Sequence, residues 1–123
     1  MSRPELSQQI DDAIGAHGAW KMRLRSAIST GHSDITPSKA ACDDQCKLGE
    51  WLYGPTLAPE IRAGVPYQVI RRLHADFHRN AGTVLDMALS GNKASARDVL
   101  DGPFGETSEK LTRALIKWKR EIG

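Results

Sequence analysis

Apolar residues recur at spacings of three and four along most of this chain, and they nowhere alternate with polar ones. Ile10, Ala13, Ile14, His17, Trp20, Leu24, Ala27 and Ile28 fall on one helical face. Ser7 or Asp11 is the expected start of that helix, and Thr30-Gly31 its expected end. Thr36-Pro37 reads as the next start, with Thr36 as N-cap and Pro37 in the first turn. A shorter helix then carries Cys42 and Cys46 towards Tyr53, where Gly54-Pro55 stops it. A short turn is expected around Pro59 to Arg62, and Gly64 and Pro66 punctuate again. A third long helix is predicted from Tyr67 to Leu89, with Ile70, Leu73, Phe77, Ala81, Val84, Leu85 and Ala88 as its inward stripe. Ser90-Gly91-Asn92 ends it, and a further helix begins near Ala94. Gly102-Pro103 interrupts the pattern, after which Phe104, Ser108, Leu111, Leu115, Trp118 and Ile122 repeat. The predicted fold is all-α: an antiparallel four-helix bundle with an additional short Cys-bearing helix packed against it.

His74 and His78 sit within Arg71-Arg72-Leu73-His74-Ala75-Asp76-Phe77-His78. Positions i and i+4 of a helix share a face, with Cβ atoms roughly 5–6 Å apart, so two imidazoles can bind one metal ion. On spacing alone the pair fits a metal site and a pair of hydrogen-bonded core histidines equally well. The remaining soft ligands are His17, His32, Cys42 and Cys46. His17 lies mid-face on the first helix and points inward. His32 follows Gly31 and reads as exposed. His17, Cys46, His74 and His78 therefore form a candidate three-His, one-Cys set, the donor types that zinc prefers in tetrahedral sites.

The segments His17-x-x-Trp20, Cys46-x-Leu48-Gly49-x-Trp51-Leu52 and His74-x-x-Phe77-His78 resemble the chemoreceptor zinc-binding (CZB) domain of bacteria. The resemblance runs from about Ile10 to about Ile122 and treats residues 1–123 as one domain. It implies one zinc ion per chain on His17, Cys46, His74 and His78. It also implies a sensory module that responds to zinc, or to oxidants through the metal-bound Cys46. In this family the domain is usually attached to a chemoreceptor or a diguanylate cyclase and tends to form homodimers. The sequence stops after the domain, so two arrangements are expected, a stand-alone sensor acting on a separate partner or a piece of a longer protein. The Met1-Ser2 start favours the first.

Zinc held by one thiolate and three neutral imidazoles leaves a formal charge near +1. Asp12, Asp76 and Glu50 are the nearby acids that could accept the free imidazole N–H groups. Four protein ligands close the coordination sphere, whereas catalytic zinc keeps a position open, so the site reads as regulatory and not enzymatic. The competing class is a metalloenzyme or an iron- and dioxygen-binding bundle. A di-iron bundle needs bridging carboxylates and Glu-x-x-His pairs, which these helices do not offer. Cys46 is the expected redox-sensing residue. Its thiolate is the oxidisable form, and electron withdrawal by the metal favours strong oxidants such as hypochlorous acid. Cys42, one helical turn earlier, is the second candidate, and as a plain small apolar residue it needs no redox role.

Length and composition fit this picture. The chain has 123 residues, 40% hydrophobic and 26% charged, enough for one core and not for two. A net charge of +2 with scattered basic residues does not point to nucleic acid. Lys117, Lys119 and Arg120 complement a helix C-terminus. No apolar signal region or membrane-length stretch appears, which predicts a cytoplasmic protein.

Overall fold

The computed structural model describes residues 3–44, 46–55 and 57–122. Met1 and Ser2 lie outside the described residues, as does the side chain of Ile122. The elements are α1 (Arg3–Thr30), α2 (Pro37–Ala40), α3 (Lys47–Tyr53), α4 (Pro59–Arg62), α5 (Val65–Leu89), α6 (Lys93–Val99), a π turn (Leu100–Phe104) and α7 (Gly105–Ile122). The expected all-α bundle is what the chain forms.

Its directions follow from contacts at the helix ends. Lys119 near the end of α7 binds Asp11 near the start of α1, at 2.7 Å, so these two helices are antiparallel. Val65, Pro66 and Val69 at the start of α5 meet Ala114 and Trp118 at the end of α7, so that pair is antiparallel too. Lys93, just past α5, reaches the Ser29 carbonyl near the end of α1. α1 and α5 therefore run the same way, with α2 and α4 packed on α5 and α3 against α1. α2 packs on the middle of α5, and Leu52 of α3 accepts the Tyr67 hydroxyl at the α5 start, at 2.8 Å.

The core is the set of stripes read from the periodicity. Ile10, Leu24, Ile70, Phe77, Ala81, Val84, Leu85, Phe104, Leu111 and Leu115 are all buried. α1 begins at Arg3, a turn before Ser7. Leu6, four residues before Ile10, is buried and extends the stripe backwards, and Pro4 suits a first turn. α5 likewise starts at Val65, because Pro66 in its first turn loses no intrahelical hydrogen bond. At Gly102-Pro103 the helix opens into a π turn, with Gly102 at non-helical torsions, and α7 resumes in a new direction.

The Cys-bearing segment departs most from expectation. It is not one helix carrying both cysteines. α2 stops at Ala40, residues 41–44 are turns outside any helix, and α3 starts after Cys46. Asp43 and Asp44 have short polar side chains that compete with helix formation, and Cys46 has extended torsions (φ −93°, ψ 166°) as the N-cap of α3. The one-turn spacing expected between Cys42 and Cys46 does not apply. Cys42 is exposed, and its thiol donates to the Ser38 carbonyl at 3.3 Å.

Candidate metal centre

Three elements bring four side chains to one point in the core. His17 comes from the middle of α1, Cys46 from the α3 N-cap, and His74 and His78 from successive turns of α5. Each offers one donor atom, and the four donors all lie within 4.8 Å of one another. The ring centroids of His74 and His78 are 4.6 Å apart, and that of His17 lies 5.0 Å from His74. The Cys46 sulfur is 3.2 Å from His74 Nε2. His17, His74 and His78 are 4%, 0% and 1% exposed, while Cys46 is half-buried. His32 is exposed and lies outside the cluster.

The orientation of two rings is fixed from behind. His17 Nδ1 donates to the Ala13 carbonyl at 2.7 Å, and His78 Nδ1 donates to the Ala40 carbonyl at 3.0 Å. A carbonyl only accepts, so each Nδ1 carries the proton and each Nε2 presents a lone pair. These two Nε2 atoms are buried with no hydrogen-bond partner, and so is His74 Nδ1. An orphaned buried acceptor costs about 1–3 kcal/mol, and the two Nε2 acceptors in this one cluster need an explanation. A metal ion supplies one, since it takes lone pairs that no N–H reaches.

The acids expected behind the rings do not have that role. Backbone carbonyls do. Asp12 accepts from Gln8, Asp76 pairs with Arg79, and Glu50 is exposed. Asp43 is the acid that acts on the site. Its charge is felt by both Cys46 and His78, and its carboxylate accepts the Tyr53 hydroxyl. The sequence gives little sign of it, because no helical period relates Asp43 to Tyr53 or to Cys46.

Burial sets the electrostatics. It holds His17 down to about 4 and His74 to about 2, with neighbouring histidines adding to both. Burial lowers His78 as well, partly offset by its bond to Ala40. All three rings are thus neutral at pH 7, the form that binds metal. Burial pushes the Cys46 thiol up, and the Gly49 N–H only partly offsets this. A divalent cation reverses that preference, since a coordinating thiol is deprotonated.

Gly49 explains how Cys46 reaches the cluster. A Cβ at Gly49 would lie 1.8 Å from the Asp43 carbonyl oxygen. The bare Cα lets the backbone of Asp43 and Asp44 lie against the first turn of α3. The Cys46 sulfur then accepts the Gly49 N–H at 3.3 Å, capping α3 as it faces the histidines. Trp51 and Leu52, one turn on, are core anchors as expected. Trp51 lies 5.5 Å, centroid to centroid, from Trp118 near the end of α7.

A family model, that of the chemoreceptor zinc-binding domain, matches the chain over residues 17–85, more than half its length. The chain belongs to the chemoreceptor zinc-binding domain family. All four clustered residues lie inside the matched span, and His17 is its first residue. Neither the comparison with curated proteins nor that with solved structures finds a match. This CZB domain has a donor set that fits the family's metal: three neutral imidazoles and one sulfur, with no carboxylate among them. No helix among the described residues is long and apolar enough to cross a membrane.

Proposed function

We propose that this CZB domain is a zinc-dependent sensory module in which His17, Cys46, His74 and His78 hold one zinc ion and Cys46 is the ligand that responds. The observation that carries this is the convergence of four donors, two of them unpartnered Nε2 atoms aimed by backbone carbonyls. Bound zinc supplies the positive charge that keeps the Cys46 sulfur as thiolate. With four protein ligands, the module regulates and does not catalyse.

The ligands differ in what anchors them. The three histidines sit on α1 and α5, whose registers are set by core packing. Cys46 sits between an irregular segment and a helix of seven residues, so it leaves at the lowest cost. Strong oxidants such as hypochlorous acid convert its thiolate to sulfenic acid, a poor ligand. Loss of zinc frees the same residue, so one movement of α3 reports both signals. In the cytoplasm the module acts as a homodimer on a signalling protein of the chemoreceptor or diguanylate cyclase type. The family's chemoreceptor association supports that assignment.

The test is the oxidant response of Cys46→Ser. The variant keeps its helicity, binds zinc more weakly and no longer changes conformation with oxidant, read by hydrogen exchange over residues 41–53. A full oxidant-induced change in this variant would move the sensing role away from Cys46, and Cys42 would be the next residue to test.

A further inference from the structure

The clustered residues are not equally sealed. A cavity of about 150 Å³ reaches the site from the α1 side. His17, Trp20, Cys46 and Leu48 line its inner part, and Asp12 and Ala16 line its exposed rim. At about 30 Å³ per water it holds roughly five waters. A small molecule of a few heavy atoms fits; glutathione or a polydentate chelator does not. Asp12 is the charged group among the lining residues. An anion moving inward meets this charge at the mouth, whereas an uncharged molecule does not.

We propose that this cavity is the entry port through which small uncharged oxidants and electrophiles reach the Cys46 sulfur, with Asp12 at the rim turning anions away. The proposal rests on the sensory reading of Cys46 and adds which reagents are admitted and which residues select them. For a hypohalous acid the net step is balanced without another reactant. The thiolate and HOCl give the sulfenic acid and chloride. An S–O bond forms and the O–Cl bond breaks with its electron pair on chlorine. Sulfur is oxidised by two electrons, chlorine is reduced by two, and the proton stays on oxygen.

The test measures adduct formation at Cys46 by mass spectrometry in the full chain, with Cys42→Ser removing the exposed thiol. The probes are uncharged methyl methanethiosulfonate and anionic 2-sulfonatoethyl methanethiosulfonate, used at low salt on metal-free and zinc-loaded protein. Ala16→Leu fills the rim from an exposed helical position and slows both probes about fivefold, because reactivity follows access. Asp12→Asn speeds the anionic probe about threefold at low salt and leaves the uncharged one unchanged. Unchanged rates in both variants would overturn the port and assign the approach to opening of residues 41–46. The failures separate cleanly. Rates that respond to Ala16→Leu and Asp12→Asn in a protein whose residues around Cys46 show no conformational change on oxidation keep the port and lose the sensory reading. A zinc-loaded protein whose rates ignore both variants loses the port alone.

Discussion

Gly49 shows how much a single missing atom decides. Its Cα lies where any Cβ would overlap the Asp43 carbonyl, so Gly49→Ala must push residues 43–46 outward. That movement pulls the Cys46 sulfur from the histidines and removes the α3 cap. Zinc affinity should fall at least about tenfold, as supporting contacts around metal ligands commonly cost 10–100-fold, while the rest of the bundle stays folded. Competition titration against a zinc indicator measures this, and unchanged affinity would show that Asp43 does not pack there. Gly82 is a parallel case on α5: a Cβ would meet the Ala41 side chain at 2.7 Å and the Pro37 carbonyl at 2.9 Å. Gly82→Ala should separate α2 from α5 and lower the melting temperature, because tightly packed cores accommodate added volume poorly. Neither close approach can be read from periodicity, which marks the face a residue lies on and not what meets it there. Asp43 was illegible for the same reason, as its role comes from a tertiary contact with Tyr53.

At the scale of elements, the long helices were legible and the Cys-bearing segment was not. α1, α5 and α7 each bury a stripe that repeats every three to four residues over four or more turns, and His17, His74 and His78 could be placed on those stripes. α2 and α3 have four and seven residues, too short for a period to show. Their ends depend on capping: Thr36 caps α2 through the Lys39 N–H, as its position beside Pro37 indicated, but Cys46 as a cap was not foreseen. The family motif places Cys46 in the site although the segment around it does not form the single helix that its residues predict. Short helices held by few contacts open first. Zinc removal should therefore raise hydrogen exchange across residues 41–53 while the centres of α1 and α5 stay protected. Equal loss of protection in all helices would contradict this and indicate that the metal holds the whole fold.

For the whole molecule, zinc ties α1, α5 and the α3 segment together, so its binding energy adds to stability. The apolar stripes bury enough surface for the bundle to persist without metal. Chelation should lower the melting temperature and leave the helical circular dichroism largely intact; no change in either would count against a bound metal. The metal-free protein should also lose stability in acid. His17 is held at about 4 and His74 at about 2 in the folded chain, against 6.5 when free. Between those values the unfolded chain takes up protons that the folded one refuses. Stability is then complete above about pH 6.5 and falls as the pH drops towards 4, by about 1.4 kcal/mol per unit for each such histidine. A flat melting temperature from pH 7 to pH 5 in metal-free protein would show that these rings are not buried neutral.

The central claim, that four converging side chains hold one zinc, is tested most directly by metal content. Purified protein should contain one equivalent of zinc per chain and no iron, and the double variant His74→Ala with His78→Ala should contain essentially none while His32→Ala retains the full equivalent. Zinc at full stoichiometry in the double variant, or a wild-type protein that takes up no zinc, would contradict it.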